Sequence, residues 1–301
     1  MSRVLVTGAS GFIGRRTLGP LVAAGHEVHA VARTPAGGPE GVRWHAADLL
    51  ASPAEVVEEV APEVLLHLAW YAEHGRFWTA PENVRWVEAS LALLRAFAGA
   101  GGRRAVVAGT CAEYDWTAGD AVLSEEATPL APATLYGAAK RGLHEVARAH
   151  AGQAGYALAW GRVFFLYGPD EAPGRLFASV ARAVLAGERA RTTAGTQVRD
   201  FLHVEDVGAA FAALASSEVG GPVNVASGEG VALRDVVTQI ATAAGRPDLL
   251  DVGALPQRPG EPERLVADTA RLRDEVGFRP ARGLADGIAA AVDELRATAG
   301  R

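Results

Sequence analysis

The chain of 301 residues contains one cysteine, Cys111, and one lysine, Lys140, among 29 basic residues. A single cysteine excludes an internal disulfide framework and fits a reducing compartment. No apolar run reaches the roughly 18 residues that a membrane-spanning helix needs. A strand pattern that begins at Arg3 leaves no space for a signal peptide. We therefore expect a cytoplasmic protein without a membrane partner.

The chain has a net charge of −6 and contains no strongly basic region. This excess of acidic residues argues against a nucleic-acid partner. A hydrophobic content of 49% is normal for a globular protein, and the length suits one large domain or one domain with a smaller lobe. We expect no bound metal.

A glycine-rich turn near the start of the chain is the first motif. The β-branched run of residues 3–7 predicts a buried strand, and an amphipathic segment through Gly25 predicts a helix. Between them, glycines allow a tight turn and a close approach of a pyrophosphate to the helix N-terminus. The predicted cofactor contacts in this turn are Gly8, Ser10, Gly11, Phe12, Ile13 and Gly14.

The end of the second predicted strand, residues 26–32, indicates which dinucleotide binds. An acidic residue there would bind the ribose hydroxyls of NAD, but Arg33 follows instead and suits the 2′-phosphate of NADP. The alternative is that Arg33 is an ordinary surface residue of an arginine-rich chain and that the cofactor is NAD. Asp48 and Leu49, after a third strand, are expected to contact the adenine end.

Strands and helices continue to alternate up to residue 163. A fourth strand at 63–69, a fifth that ends on Thr110 and a sixth at 157–163 complete the pattern. This alternation predicts an α/β fold, a doubly wound parallel sheet (Rossmann-like) with a smaller C-terminal substrate lobe. We assign residues 1–163 to the dinucleotide-binding domain and 164–301 mainly to the lobe, with a segment near 200–215 returning to the first domain.

Tyr136 and Lys140 are spaced to lie on one face of a helix. Lys140 is singular because nearly every other basic position holds arginine, whose guanidinium does not mimic a compact ammonium. An ammonium beside a phenol should lower the pKa of Tyr136 toward neutrality and make it a proton donor or acceptor. The alternative is an ordinary pair of helix residues.

Taken together, these motifs resemble the extended short-chain dehydrogenase/reductase family, of the nucleotide-sugar epimerase, dehydratase and ketoreductase type. The resemblance extends over essentially the full length. It rests on Gly8-x-x-Gly11-x-x-Gly14, Ala47-Asp48-Leu49, His67-Leu68-Ala69, Thr110 before Tyr114, Tyr136-x-x-x-Lys140, Arg162 before Tyr167-Gly168-Pro169, the segment 198–206 and Arg258-Pro259-Gly260-Glu261.

The resemblance implies a role for each matching residue. Tyr136 is the catalytic tyrosine, Lys140 binds the nicotinamide ribose, and Thr110 bonds the reacting sugar oxygen. Arg199 and Arg258 clamp the diphosphate of a nucleotide-sugar, unless both form structural salt bridges. The resemblance also implies a homodimer. The remaining implied contacts are Leu68 and Ala69 with the cofactor, and Trp70, His74, Asn83, Phe165 and Glu261 with the substrate.

Three departures from the family pattern bear on the reaction. Cys111-Ala112 replaces the Asp-Glu pair that dehydratases carry after the threonine, which argues against elimination of water. Trp86 replaces a supporting asparagine, for which Asn83 is a substitute one turn earlier. Phe165 replaces an asparagine that contacts the sugar. The aromatic loop 70–78 is then either a replacement substrate surface or simple core filling.

Our main interpretation is an NADP(H)-dependent ketoreductase that reduces a nucleotide-linked keto-sugar, at C4, with Tyr136 as proton donor. The alternative is an NAD-dependent nucleotide-sugar epimerase that retains its cofactor and uses the same residues. A third hypothesis is a dinucleotide-binding regulator without catalysis, which the complete set of Thr110, Tyr136 and Lys140 makes the weakest.

Overall fold

The computed structural model describes residues 1–35, 37–117, 122–257 and 259–299. In the first half, short apolar runs form buried strands and amphipathic segments form the helices between them. The elements are β1 (Arg3–Thr7), α1 (Gly14–Ala23), β2 (Glu27–Ala32), β3 (Val42–Ala46), α2 (Glu55–Val60), β4 (Val64–His67), α3 (Glu82–Gly99), β5 (Arg104–Thr110), α4 (Leu135–Ala154) and β6 (Ala157–Val163).

Shorter elements make up the second half. They are β7 (Phe165–Tyr167), α5 (Leu176–Leu185), β8 (Ala190–Thr192), β9 (Val198–His203), α6 (Val204–Ser216), β10 (Gly221–Val225), β11 (Gly230–Ala232), α7 (Leu233–Ala243), β12 (Leu250–Val252), β13 (Arg264–Leu265) and α8 (Leu284–Ala299).

Within the described residues, seven strands form one parallel sheet in the order β10-β6-β5-β4-β1-β2-β3. The chain builds outward from β1 to β3 and then returns to build outward from β4. The direction of winding therefore reverses between β1 and β4, and a crevice for ligands opens at the carboxyl ends of these two strands. The predicted Rossmann-like fold is confirmed.

Helices cover both faces of this sheet. On one face α1 and α6 pack around Leu18, Leu21 and Phe211, while on the other α2, α3 and α4 pack around Leu94 and Phe97. Burial on both faces explains why the strands are continuous apolar runs instead of alternating ones.

A separate hydrophobic core lies in the second half of the chain, where α5, α7 and α8 pack around Val184, Ile240 and Val292. The segment expected to return, 200–215, includes α6, which lies against α1. The sheet also takes β10 from beyond that segment. Division of the chain at residue 163 stays a prediction. Searched over its described residues, the protein has no helix of the length and apolarity that crossing a membrane requires.

Candidate active site

The glycine turn lies at the crevice between β1 and β4. Gly8 has a φ of +67°, and a Cβ there would come within 2.7 Å of the Ala69 nitrogen, so only glycine fits. A Cβ on Gly14 would collide with the Gly8 carbonyl oxygen. The Gly11 N–H donates to that same oxygen at 2.9 Å and closes the turn.

The N-terminus of α1 is open to an anion. Its N-cap residue, Ile13, provides no side-chain hydrogen bond, and the first turn carries no acidic residue. The positive end of the helix dipole therefore faces the turn without a counter-charge from these residues. The turn and helix end fit the pyrophosphate of a dinucleotide.

Residues predicted to contact the adenine end follow the neighbouring strands. Arg33 is exposed directly after β2, and among the described residues it forms no ion pair. Asp48 is exposed and accepts a hydrogen bond from the Leu50 N–H at 3.0 Å, while Leu49 is buried beneath it. Leu68 and Ala69 follow β4 at the same edge of the sheet.

Lys140 lies on α4, which begins after Thr134, whose hydroxyl accepts from the Gly137 N–H at 3.2 Å. The buried Lys140 ammonium donates to the Ala108 carbonyl at 2.7 Å and lies 3.7 Å from the centroid of the Trp70 ring. Burial lowers the pKa of Lys140 to about 7, and the charge of Glu113 acts in the opposite direction. The only lysine therefore lies at the end of β5.

Tyr136 lies one turn before Lys140 and is half-buried. The expected lowering of its pKa toward neutrality by Lys140 was wrong for this arrangement, because burial raises the pKa of Tyr136. A hydrogen bond with the Thr110 hydroxyl and the charge of Arg175 both act to lower it. Arg175, the N-cap residue of α5, was missed by the sequence analysis.

Thr110 is the last residue of β5 and is buried. Its hydroxyl accepts from the Ala112 N–H at 3.2 Å, and its own N–H donates to Glu113 Oε1 at 2.9 Å. This reciprocal capping box fixes the residue at the start of a short 3₁₀ helix. The structure thus brings Thr110, Tyr136 and Lys140 together at one strand end.

The aromatic loop 70–78 contacts α4. Phe77 and Trp78 pack edge-on against Tyr136, with ring centroids 5.0 and 5.9 Å away. Trp70 covers Lys140 instead, and its indole N–H donates to Asn83 Oδ1 at 2.9 Å.

Asn83 and His74 occupy different environments. Asn83 is fully buried, and its amide nitrogen donates to the Phe77 and Ala80 carbonyls. Asn83 therefore braces the loop, and its contact with substrate stays a prediction. His74 is exposed near Gly174, where an added Cβ would lie 3.3 Å from its ring.

Arg199, the predicted diphosphate clamp, is already engaged. Its guanidinium is buried, lies 3.4 Å from a Glu261 carboxylate oxygen and donates to the Pro262 carbonyl at 2.8 Å. It also lies above the ring of Phe165, 5.5 Å from its centroid. Arg258 lies outside the described residues. The alternative of a structural salt bridge therefore describes Arg199 as observed, and its role as a diphosphate ligand stays a prediction.

A buried polar cluster beneath Thr110 was also missed. The Glu113 carboxylate accepts from Trp160 Nε1 at 2.9 Å and from Arg162 Nε at 3.0 Å. Arg162 in turn donates to the Tyr114 hydroxyl at 3.1 Å. The spacing Thr-x-x-Glu, typical of a capping box, was the available signal for Glu113.

Proton-transferring side chains beside an anion-binding helix end are what a dinucleotide-dependent oxidoreductase requires, and fold and site together define that class. The sequence model of the NAD dependent epimerase/dehydratase family matches residues 4–226, so the chain belongs to this family. This confirms the resemblance drawn from the motifs.

Individual relatives agree with that assignment. The chain is 30% identical to a UDP-glucose 4-epimerase of Mycolicibacterium smegmatis over 98% of both proteins. It is 36% identical to a 3-diazoavenalumate denitrifying reductase of a Streptomyces species, over 72% of this chain and 74% of that one. Among solved structures, MoeE5 in complex with UDP-glucose and NAD is 33% identical, with a TM-score of 0.86 over 99% of both chains. A nicotinamide dinucleotide cofactor is thereby supported.

Proposed function

We propose that the protein is a nucleotide-sugar 4-epimerase that retains its nicotinamide dinucleotide and acts on a nucleotide-linked hexose. The observation that carries this proposal is the convergence of Thr110, Tyr136 and Lys140 at the carboxyl end of β5, beside the glycine turn. The epimerase and the UDP-glucose-binding structure among the similar proteins support the substrate class.

Each residue has a distinct part in this reaction. A bound nicotinamide dinucleotide supplies the chemistry of accepting a hydride and returning it. The Tyr136 phenolate takes the proton of the sugar hydroxyl, becoming the phenol, and later gives the same proton back. Thr110 holds the same sugar oxygen by a hydrogen bond, and Lys140 offers its ammonium to the ribose hydroxyls. Arg175 helps the phenolate form, because its charge lowers the pKa of Tyr136.

The residues after Thr110 support epimerisation over elimination of water. Burial raises the pKa of the Cys111 thiol to about 12, so the thiol stays protonated at neutral pH. The next carboxylate, Glu113, is fully buried and bound by Arg162, which keeps it from reaching a substrate. Neither group is suited to the acid and base that a dehydratase requires.

A ketoreductase using NADP(H) is the second candidate. Two observations favour it: Arg33 follows β2 where an acidic residue would bind NAD, and the raised pKa of Tyr136 suits a proton donor. A reductase is also among the similar proteins. A diphosphate clamp by Arg199 and Arg258, homodimerisation and a cytoplasmic location stay predictions.

Cofactor content and turnover without added cofactor test the choice. Denatured protein should release about one dinucleotide per chain, and the native protein should convert UDP-glucose to UDP-galactose without any cofactor added. Tyr136→Phe is the inactive comparison. Tyr156→Phe is its matched control. Among the described side chains, the Tyr156 hydroxyl forms a hydrogen bond only with His150, and Tyr156 lies just beyond the C-terminal end of α4.

Other results would favour the second candidate or contradict the first. If no nucleotide-hexose is epimerised and NADPH is consumed with a 4-keto-sugar nucleotide, the protein is a ketoreductase. If neither reaction occurs and no nucleoside diphosphate raises the melting temperature, the nucleotide-sugar assignment is wrong.

A further inference from the structure

We propose that Glu113 is a positioning residue of the proton-transfer site: its buried carboxylate fixes the backbone of Thr110 and supplies the negative charge that faces Lys140. The inference deepens the proposed function, on which its catalytic meaning rests. Glu113 touches neither substrate nor cofactor in this role and acts through Thr110 and Lys140.

The end of β5 is held from both sides. Lys140 Nζ donates to the Ala108 carbonyl at 2.7 Å, and the Thr110 N–H donates to Glu113 Oε1 at 2.9 Å. Ala108 and Thr110 are separated by one residue, so the two charged side chains bind backbone groups of the same strand end. A displacement of Glu113 would therefore move the Thr110 hydroxyl relative to Tyr136.

The intervening residue, Gly109, leaves space for this arrangement. A Cβ there would lie 2.6 Å from Glu113 Oε1 and would collide with the indole nitrogen of Trp160. The Trp160 N–H donates to Glu113 Oε1 at 2.9 Å, so one carboxylate oxygen accepts two hydrogen bonds. Trp160 itself is clamped by the ring of His144, stacked with centroids 4.7 Å apart.

Arg162 forms a buried ion pair with the carboxylate. It donates from Nε to Glu113 Oε2 at 3.0 Å, and the side chains are 1% and 0% exposed. A buried ion pair is weak evidence for stability, because desolvation of two charges offsets their attraction. The pair instead sets the geometry and the charge of the site.

Among the residues that the structure describes, few other charges face Lys140. His67, from β4, has its pKa lowered by burial to about 3 and is neutral. Burial keeps the Cys111 thiol protonated near neutral pH and raises the pKa of the Tyr136 phenol. Burial also lowers the pKa of His144 to about 4. The charge of Glu113, whose Oε2 atom is bound by Arg162, therefore opposes the loss of the Lys140 proton.

The single lysine allows a direct test that needs no substrate. Lysine labelled with ¹³C at Cε gives one side-chain resonance in this protein, since Lys140 is the only lysine. Titration of that resonance in the dinucleotide-bound protein should give a pKa for Lys140 that falls by about one unit or more in Glu113→Gln. The isosteric amide removes the charge that favours the ammonium.

Two further variants separate charge from packing. Glu113→Asp keeps the charge but shortens the side chain, so the Lys140 titration should stay near that of the wild type while turnover falls. Asp206→Asn is the matched control, because it neutralises another buried carboxylate, which accepts from the Ala281 N–H in the second lobe. We expect it to change stability without changing the Lys140 titration.

A double variant that removes both buried charges covers the case in which Glu113→Gln alone does not fold. Glu113→Gln combined with Arg162→Met leaves no unpaired buried ion, and it should also lower the pKa of Lys140. An unchanged Lys140 titration in folded Glu113→Gln would overturn the inference, as would an equal shift in Asp206→Asn. Failure of the single and the double variant to fold would make the pair purely structural and would also overturn it. Because no substrate is used, a wrong assignment of the reaction would leave this result unaffected.

Discussion

The Lys140 ammonium lies 3.7 Å from the centroid of the Trp70 ring while it donates to the Ala108 carbonyl. The indole face and the carbonyl oxygen together solvate a cation that is otherwise buried. Asn83 fixes the indole through the hydrogen bond to its N–H. The space between ring and strand therefore fits a compact ammonium.

Lys140→Arg should lose activity and stability although it keeps the charge. The planar guanidinium is larger and must displace Trp70 or leave the Ala108 carbonyl. We expect unfolding in urea to become easier by about 1–3 kcal/mol, the usual cost of overpacking, and turnover to be lost. Arg148→Lys, an exposed change on the same helix, is the control and should alter neither quantity. Full activity in Lys140→Arg would contradict the argument.

Tyr136→Phe should lower turnover by about 10²–10⁴, the contribution of a general acid or base. The ring contacts with Phe77 and Trp78 do not involve the hydroxyl, so the melting temperature and dinucleotide affinity should be nearly unchanged. Steady-state rates, thermal melts and a dinucleotide titration measure the three quantities. Turnover like that of the wild type would exclude Tyr136 as the proton-transferring residue.

Local patterns predicted the parts of the fold that local physics decides. The strand, glycine turn and helix at the start of the chain, and the placing of Thr110 at a strand end, follow from residue spacing alone. The pairing of Glu113 with Arg162 depends on the register of β5 against β6, which places Gly109 opposite Arg162. No local pattern encodes that register.

Charge states were the least predictable part of the site. The spacing of Tyr136 and Lys140 suggested a direct effect of the ammonium on the phenol, but burial dominates the pKa of each. The aromatic loop 70–78 covers α4 because Phe77 and Trp78 fold back onto it, and composition alone does not reveal that contact. Arg199 likewise has a carboxylate partner from a distant segment.

Glu261→Gln should strengthen the binding of nucleoside diphosphates if Arg199 is their ligand. A diphosphate must compete with the Glu261 carboxylate, which lies 3.4 Å from Arg199 and also accepts from Gln197 Nε2 at 2.7 Å. Loss of a partly exposed ion pair amounts to about 0.2–1 kcal/mol, so the dissociation constant should fall by up to about fivefold. Calorimetric titration with UDP measures this. Weaker binding would instead mean that Glu261 itself contacts the nucleotide.

Arg33→Ala should separate the two dinucleotides. A charge-assisted hydrogen bond to a 2′-phosphate contributes about 1.5–3 kcal/mol, so NADPH should bind about tenfold more weakly or worse, while NADH changes little. Fluorescence titration of protein stripped of cofactor gives both constants. Arg43→Ala, which removes an exposed arginine of β3 paired with Glu27, is the control. Equal losses for NADPH and NADH would mean that Arg33 does not contact the 2′-phosphate.

Glu171→Gln should stabilise the protein in alkaline but not in acidic solution. Glu171 is buried before α5, where it accepts from the Ala178 N–H at 2.9 Å, and burial raises its pKa from 4.5 to about 7. The folded state therefore binds the proton more tightly than the unfolded state. The stability from this carboxylic acid is complete below pH 4.5 and is lost as the pH rises through 7.

The amide of glutamine accepts the same hydrogen bond and never ionises, so the difference between variant and wild type isolates this titration from all others. Near pH 4.5 the two free energies of unfolding should be equal within about 0.5 kcal/mol, the spread of benign substitutions. At pH 8 the variant should be more stable by up to about 3 kcal/mol, since each unit of pKa shift corresponds to about 1.4 kcal/mol. Urea unfolding at both pH values measures the difference, and Glu188→Gln, at an exposed position, is the control. A variant that is less stable than the wild type at pH 8 would mean that the ionised carboxylate stabilises the start of α5 and that folding does not raise the pKa of Glu171.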